Sequence, residues 1–187
     1  MHQQSYVSRQ SIHTRSITIQ GYRRDDGLWD MEGTLIDVKG YDLEGLYRKH
    51  IQAGEPIHEM RVIVTVDDHF LIYRAEAVTD FAPFPMCGDI APAFSALAGL
   101  CLTSGFMREV RNRFGGRHGC THIIELLGGI ASTAFQTIYP LLRNDRLQAD
   151  GKPALIDSCH GFAADGEVVA SQWPAYSTRG DDGIKSP

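Results

Sequence analysis

The sequence predicts an α+β fold, an antiparallel three- to four-stranded sheet covered on one face by helices. Two observations carry this. Up to about residue 80, apolar and polar residues alternate with a period of two between Asp- and Gly-bearing turns, and beyond Pro85 the apolar spacing becomes helical. Strands first and helices after is the order expected where helices gather on one face of a sheet.

The first strand is SITIQGYR, residues 16–23, alternating around Ile17 and Ile19. Asp25-Asp26-Gly27 signals a turn. LWDMEGTLID, residues 28–37, alternates again, with Trp29, Met31 and Leu35 on one face and Asp30, Glu32 and Thr34 on the other. KGYDLEGLYRKHIQAGEP reads as a loop or short helix ended by Gly54 and Pro56. IHEMRVIVTV, residues 57–66, is the third strand, and after Asp67-Asp68-His69 residues 70–78 form the fourth.

IAPAFSALAGLCLTSGF is rich in Ala and Leu and predicts a helix stopped at Gly105. A shorter helix spans 106–114 and ends in Gly115-Gly116. The longest helix spans 121–142, with Thr121 as its cap and Pro140 in its last turn. Beyond RNDRLQADGKP a hairpin pairs residues 154–159 with 167–171. TRGDDGIKSP has the composition of a frayed tail. The expected organisation is therefore one domain over residues 1–177 and a flexible tail over 178–187.

A chain of 187 residues buries enough surface to need no covalent staples. No apolar run is long enough for a membrane span, and the first residues lack the apolar stretch of a secretion signal. A cytoplasmic address is expected, with no membrane partner. A net charge of −5 and the lack of a basic stripe argue against nucleic acid. There is no GxSxG, no Walker loop and no GxGxxG after a strand. A homodimer is the base-rate expectation.

The four cysteines, Cys87, Cys101, Cys120 and Cys159, form no CxxC pair and read as reduced thiols or metal ligands. His58 shares a strand face with Met60, Val62, Val64 and Val66, the face that should be buried, so its nitrogens need partners. A lone histidine there is more often bonded to a carbonyl than ligated; ligation gains if other donors converge on it. Cys87, in FPMCGDIAP, sits near a helix start, where the dipole favours a thiolate, and Asp89 caps that helix. In RHGCTHIIELL, Cys120 and His122 meet a helix start, and Glu125 lies on the face of His122, able to orient it or act as a base. His118 reads as solvated. Cys159 and His160 belong either to the site or to the hairpin.

Taken together, GYRRDDGLWDMEGTLIDVKGYD, GEPIHEMRV, PFPMCGDIAPAFSALAGL and GCTHIIELL resemble a bacterial family of unknown function over most of the chain. The stretch from MRVIVTV to LTSGF is also similar to the core of NifU-like iron–sulfur scaffold proteins, which implies a NifU/SufE-like fold. By position, Cys87 and Cys120 match two of the scaffold's cysteines, and His58 falls near the first. With histidine in that place, the resemblance implies a single metal ion, zinc or iron, held by His58, Cys87 and Cys120.

The first resemblance implies a place among bacteria that degrade aromatic compounds. It implies a carbon–carbon lyase that acts on a small phenolic metabolite and releases a small carbonyl fragment of the formaldehyde type. Trp29, Phe81, Phe84, Phe94 and Phe106 would lie near such a site. His122, with Glu125 as orienter, is the expected base, and the metal the expected oxyanion stabiliser. A metal-free version with His58 and His122 as acid and base is equally compatible. The competing expectation is a metal or iron–sulfur carrier.

Overall fold

The computed structural model describes residues 7–142 and 151–180. Gly27, at φ +86°, turns the chain between strands β1 (His13–Arg23) and β2 (Trp29–Lys39), which pair antiparallel along their whole length. A small antiparallel insert, β3 (Leu43–Glu44) with β4 (His50–Ile51), stands where a loop or short helix was expected. Strands β5 (Pro56–Val66) and β6 (Ile72–Phe81) follow, and the four long strands form one antiparallel sheet in the order β1-β2-β5-β6. This is the expected α+β arrangement, with four strands.

Because side chains alternate across a strand, register sorts them into rows on the inner face. Gly21, Met31, Val64 and Ala75 form one row; Ile19, Gly33, Val62 and Ala77 the next; Ile17, Leu35, Met60 and Thr79 the third. Met31, Leu35, Met60, Val62 and Val64 are all at most 1% exposed. Each contributes about 1.5–3 kcal/mol by leaving water. The fourth row departs from this chemistry: Arg15, Asp37 and His58.

Helix α1 (Phe106–Phe114) buries Phe106, Val110 and Phe114 at helical spacing, and Phe114 stacks on Phe94 with ring centroids 4.5 Å apart. Helix α2 (Thr121–Leu142) buries Ile123, Leu126, Leu127, Ile130, Ala134 and Ile138 and packs on β1, β2 and β5. It approaches closely enough that a Cβ on Gly21 would stand 2.2 Å from Thr137 Oγ1. Thr121 is the first helical residue rather than the cap; Ile124 N–H donates to the carbonyl of Cys120, which occupies that position.

One other helical expectation changes, that of the Ala- and Leu-rich stretch before Gly105. Residues Pro85–Leu97 form a 3₁₀ run with Pro92 inside it, and a proline there removes a donor that a regular α-helix needs. Gly99 (φ +85°) then turns the chain, and 99–102 run beside the start of β6, with Ile72 N–H donating to Leu100 O and Leu102 N–H to Phe70 O.

The described residues fall into two compact units, one ending at Leu142 and the other beginning at 151, a division inside the stretch expected to be one domain. In the second unit, α3 (Glu167–Gln172) and 3₁₀ turns at His160–Phe162 and Pro174–Tyr176 replace the expected hairpin. Asp157, at φ +63°, accepts from Ala164 N–H and folds the backbone into a turn instead of a ladder. Most of RNDRLQADGKP and of the expected tail lies outside the described residues. No helix among the described residues is long and apolar enough to cross a membrane.

Candidate active site

The polar fourth row lies beneath the first turn of α2. Asp37 continues the inward parity of Trp29, Met31, Gly33 and Leu35, so its carboxylate enters the core and is 0% exposed. A carboxylate in that position requires cationic and hydrogen-bonding partners. Its register neighbour Arg15 supplies a bidentate pair, Nε to Oδ1 at 2.8 Å and Nη2 to Oδ2 at 2.7 Å. His13 Nε2 lies 3.1 Å from Oδ1. On the other side His58 Nδ1 lies 3.1 Å from Oδ2, and His122, descending from α2, brings Nε2 to 3.5 Å from the same oxygen. The remaining Arg15 amino group reaches Glu125 Oε2 at 2.5 Å and ties β1 to α2. A register shift follows Asp37, between Asp37 and Val38, where the strand leaves the regular ladder.

The two imidazoles face one another, ring centroids 4.0 Å apart and planes inclined by 33°. Burial pushes the Asp37 carboxyl up, but hydrogen bonds and charge from Arg15, helped by His13 and His58, outweigh it and hold the group at about 2. Burial lowers His58 first, and His122 opposite lowers it further, against the pull of Asp37. Burial also lowers His122, and the Arg15 charge adds to this, against Asp37 and Glu125. At neutral pH the site therefore holds an ionised, orienting carboxylate and two uncharged imidazoles. With its Nδ1–H donated to Asp37, His58 presents Nε2 as a base. Asp37, His58 and His122 are also a donor set able to hold a metal ion, one ligand atom from each lying within 4.8 Å of the others.

The expected residues are divided by the fold. His58 and His122 come together. Glu125 hydrogen-bonds Arg15, and the carboxylate facing His122 is Asp37. Cys120 Sγ lies 3.7 Å from His122 Nδ1, beside the cluster. Cys87 sits in the 3₁₀ run after β6, and all four cysteines are free. Thus His58, Cys87 and Cys120 are not brought together as a ligand set: among the described residues no group of three donors includes a thiol. The thiols come from the connection after β6 and from the cap of α2, whereas the imidazoles are aligned by sheet register and the first helical turn.

Of the aromatic residues expected nearby, Trp29 stands at the opposite end of β2, roughly 26 Å along the strand from Asp37. Phe94 and Phe106 are core residues. Phe81 and Phe84 are exposed, Phe81 paired with Glu59, the residue after His58. Tyr47 meets Phe84 edge-on at 6.0 Å, and Arg48 lies over Phe81 at 5.3 Å. The sequence reading missed Arg15 and Asp37, although strand parity extended by one residue pair points to both.

No curated protein and no solved structure matches the chain. Residues 13–136, about two thirds of its length, match the family model described as a protein of unknown function, DUF2889. That span opens at His13 and includes Arg15, Asp37, His58, His122 and Glu125, so every member of the cluster lies inside it. The chain belongs to the DUF2889 family.

Proposed function

We propose that this protein is a small acid–base lyase that cleaves a carbon–carbon bond in the side chain of a phenolic alcohol and releases formaldehyde or a similar small aldehyde. The observation that carries the acid–base part is the buried Asp37 carboxylate, locked by Arg15 and aimed at two uncharged imidazoles 4.0 Å apart. In this reading His58 Nε2 takes the hydroxyl proton. The O–H electron pair becomes the new carbonyl bond, the adjacent carbon–carbon bond breaks, and its electron pair stays with the aryl-bearing fragment, which is then protonated. His122, on the other side of the pair, passes on to that fragment the proton that His58 has taken. Asp37 fixes the His58 tautomer and stabilises the imidazolium as it forms. Arg15, bound to Asp37 and partly exposed, lends positive charge to the developing oxyanion.

Support for an aromatic substrate comes from exposed Tyr47, Phe81 and Phe84, on the segments that flank the site end of β5. The test is aldehyde release from a panel of 4-hydroxyphenyl compounds whose side chains carry a primary alcohol. Turnover should fall by about 100-fold or more in His58→Gln and in His122→Gln. Release of no aldehyde from the panel, or full turnover in both variants, would overturn the reading.

A further inference from the structure

The lone pairs of Asp37 are nearly all assigned. A carboxylate offers about four acceptor positions, two on each oxygen. Arg15 Nε and His13 occupy those of Oδ1, and Arg15 Nη2 takes one of Oδ2. One position remains, and two imidazole nitrogens face it, His58 Nδ1 at 3.1 Å and His122 Nε2 at 3.5 Å. A single N–H satisfies it. The second ring then presents either a donor with nothing left to accept it or a lone pair against an anion. A cation placed among the three atoms resolves the conflict by taking one lone pair from each.

We propose that Asp37, His58 and His122 bind one divalent transition-metal ion of the zinc class, and that the ion reversibly blocks the acid–base chemistry proposed above, on which this second half rests. Two donors bound at 2.0–2.1 Å to a tetrahedral ion stand about 3.3–3.4 Å apart. The separations of 3.1 and 3.5 Å bracket that distance. The third separation, between the two rings, falls within the 4.8 Å that encloses the set. Two imidazoles and one carboxylate suit zinc and leave a fourth position for water. The surroundings are those a ligand shell needs: Arg15 and His13 hold the carboxylate from behind, and Cys120 Sγ stands 3.7 Å from the other nitrogen of His122. Metal bound at His58 Nδ1 leaves that ring's one proton on Nε2, the nitrogen proposed as the base, so bound metal and free base exclude one another.

The experiment is calorimetric titration of zinc chloride into the EDTA-treated full chain. One zinc per chain is expected, weakened at least tenfold in His58→Gln and in His122→Gln and unchanged in Cys87→Ser. No binding at millimolar zinc, or binding that disappears in Cys87→Ser, overturns the site. If a histidine variant fails to fold, cobalt(II) added to the wild type decides instead: a thiolate-to-cobalt charge-transfer band overturns the ligand assignment, and nitrogen–oxygen ligation without it supports the site. Aldehyde release, assayed in parallel, separates the two proposals. Turnover by metal-free protein, lost as zinc is added, supports both. Turnover that requires zinc keeps the site and overturns the block and the acid–base reading. Metal-free turnover in a protein that takes up no zinc keeps the acid–base reading alone.

Discussion

Replacing Asp37 by Asn tests the electrostatic centre of the cluster directly. The side chain keeps its shape but loses its charge, and its amide NH₂ must face one of the two Arg15 donors that now lie 2.8 and 2.7 Å from carboxylate oxygens. Holding the carboxyl at about 2 instead of its ordinary 3.8 corresponds to about 2 kcal/mol of preference for the ionised form in the folded protein. Breaking a fully buried pair costs about 3–5 kcal/mol. Arg15 is 34% exposed and recovers part of its hydration, so a loss of about 2–3 kcal/mol is expected at pH 7. The sign with pH follows from the depressed folded value. The Asp37 contribution is complete above pH 3.8 and is lost as the pH falls toward 2. Urea unfolding followed by circular dichroism, at pH 7 and near pH 2.5, reads both quantities. An Asn variant as stable as the wild type at pH 7, or a gap between the two that does not narrow in acid, would refute the reasoning.

Other outcomes follow from the same geometry. His58 and His122 both titrate below 6.5 in the folded protein, so the unfolded chain binds more protons there; stability should fall as the pH drops below 6.5, and His58→Gln should flatten this slope in thermal melts. Gly21→Ala drives a Cβ against Thr137 Oγ1, Cγ2 and Cβ at 2.2–2.9 Å, and should cost about 1–3 kcal/mol in urea unfolding, because the helix itself must shift. Thr79 Oγ1 is buried without a hydrogen-bond partner, so Thr79→Val should raise stability by about 1 kcal/mol; a destabilised variant would show that the hydroxyl is satisfied in solution.

Much of the architecture is local, and for that reason legible. The Asp-Asp turns separate β1 from β2 and β5 from β6, and the helical spacing of Phe106, Val110 and Phe114, and of Ile123 through Ile138, marks α1 and α2 without reference to the rest of the chain. The 3₁₀ run and the 99–102 segment were misread because their Ala- and Leu-rich composition suits a helix, while Pro92 and pairing with Phe70 and Ile72 decide the backbone. For the site, His58 was legible as a polar interruption of an apolar strand face, and His122 as part of a polar helix start. Asp37 was not, because it closes the expected strand 28–37, where an acidic residue also suits a turn. Arg15 was not, because β1 begins three residues earlier than its apolar pattern does. A ligand set of His58, Cys87 and Cys120 demanded a convergence that no local pattern specifies.

The alignment of Arg15, Asp37 and His58 across three neighbouring strands ties chemical competence to correct assembly. A slip of β2 by one residue would swing Asp37 to the outer surface, leave the guanidinium and imidazoles without their anion, and put Ile36 in its place. In the acid–base reading proposed above, a wrongly assembled molecule is inert as well as unstable. The imidazoles meet their carboxylate only in chains whose sheet has closed in the native frame.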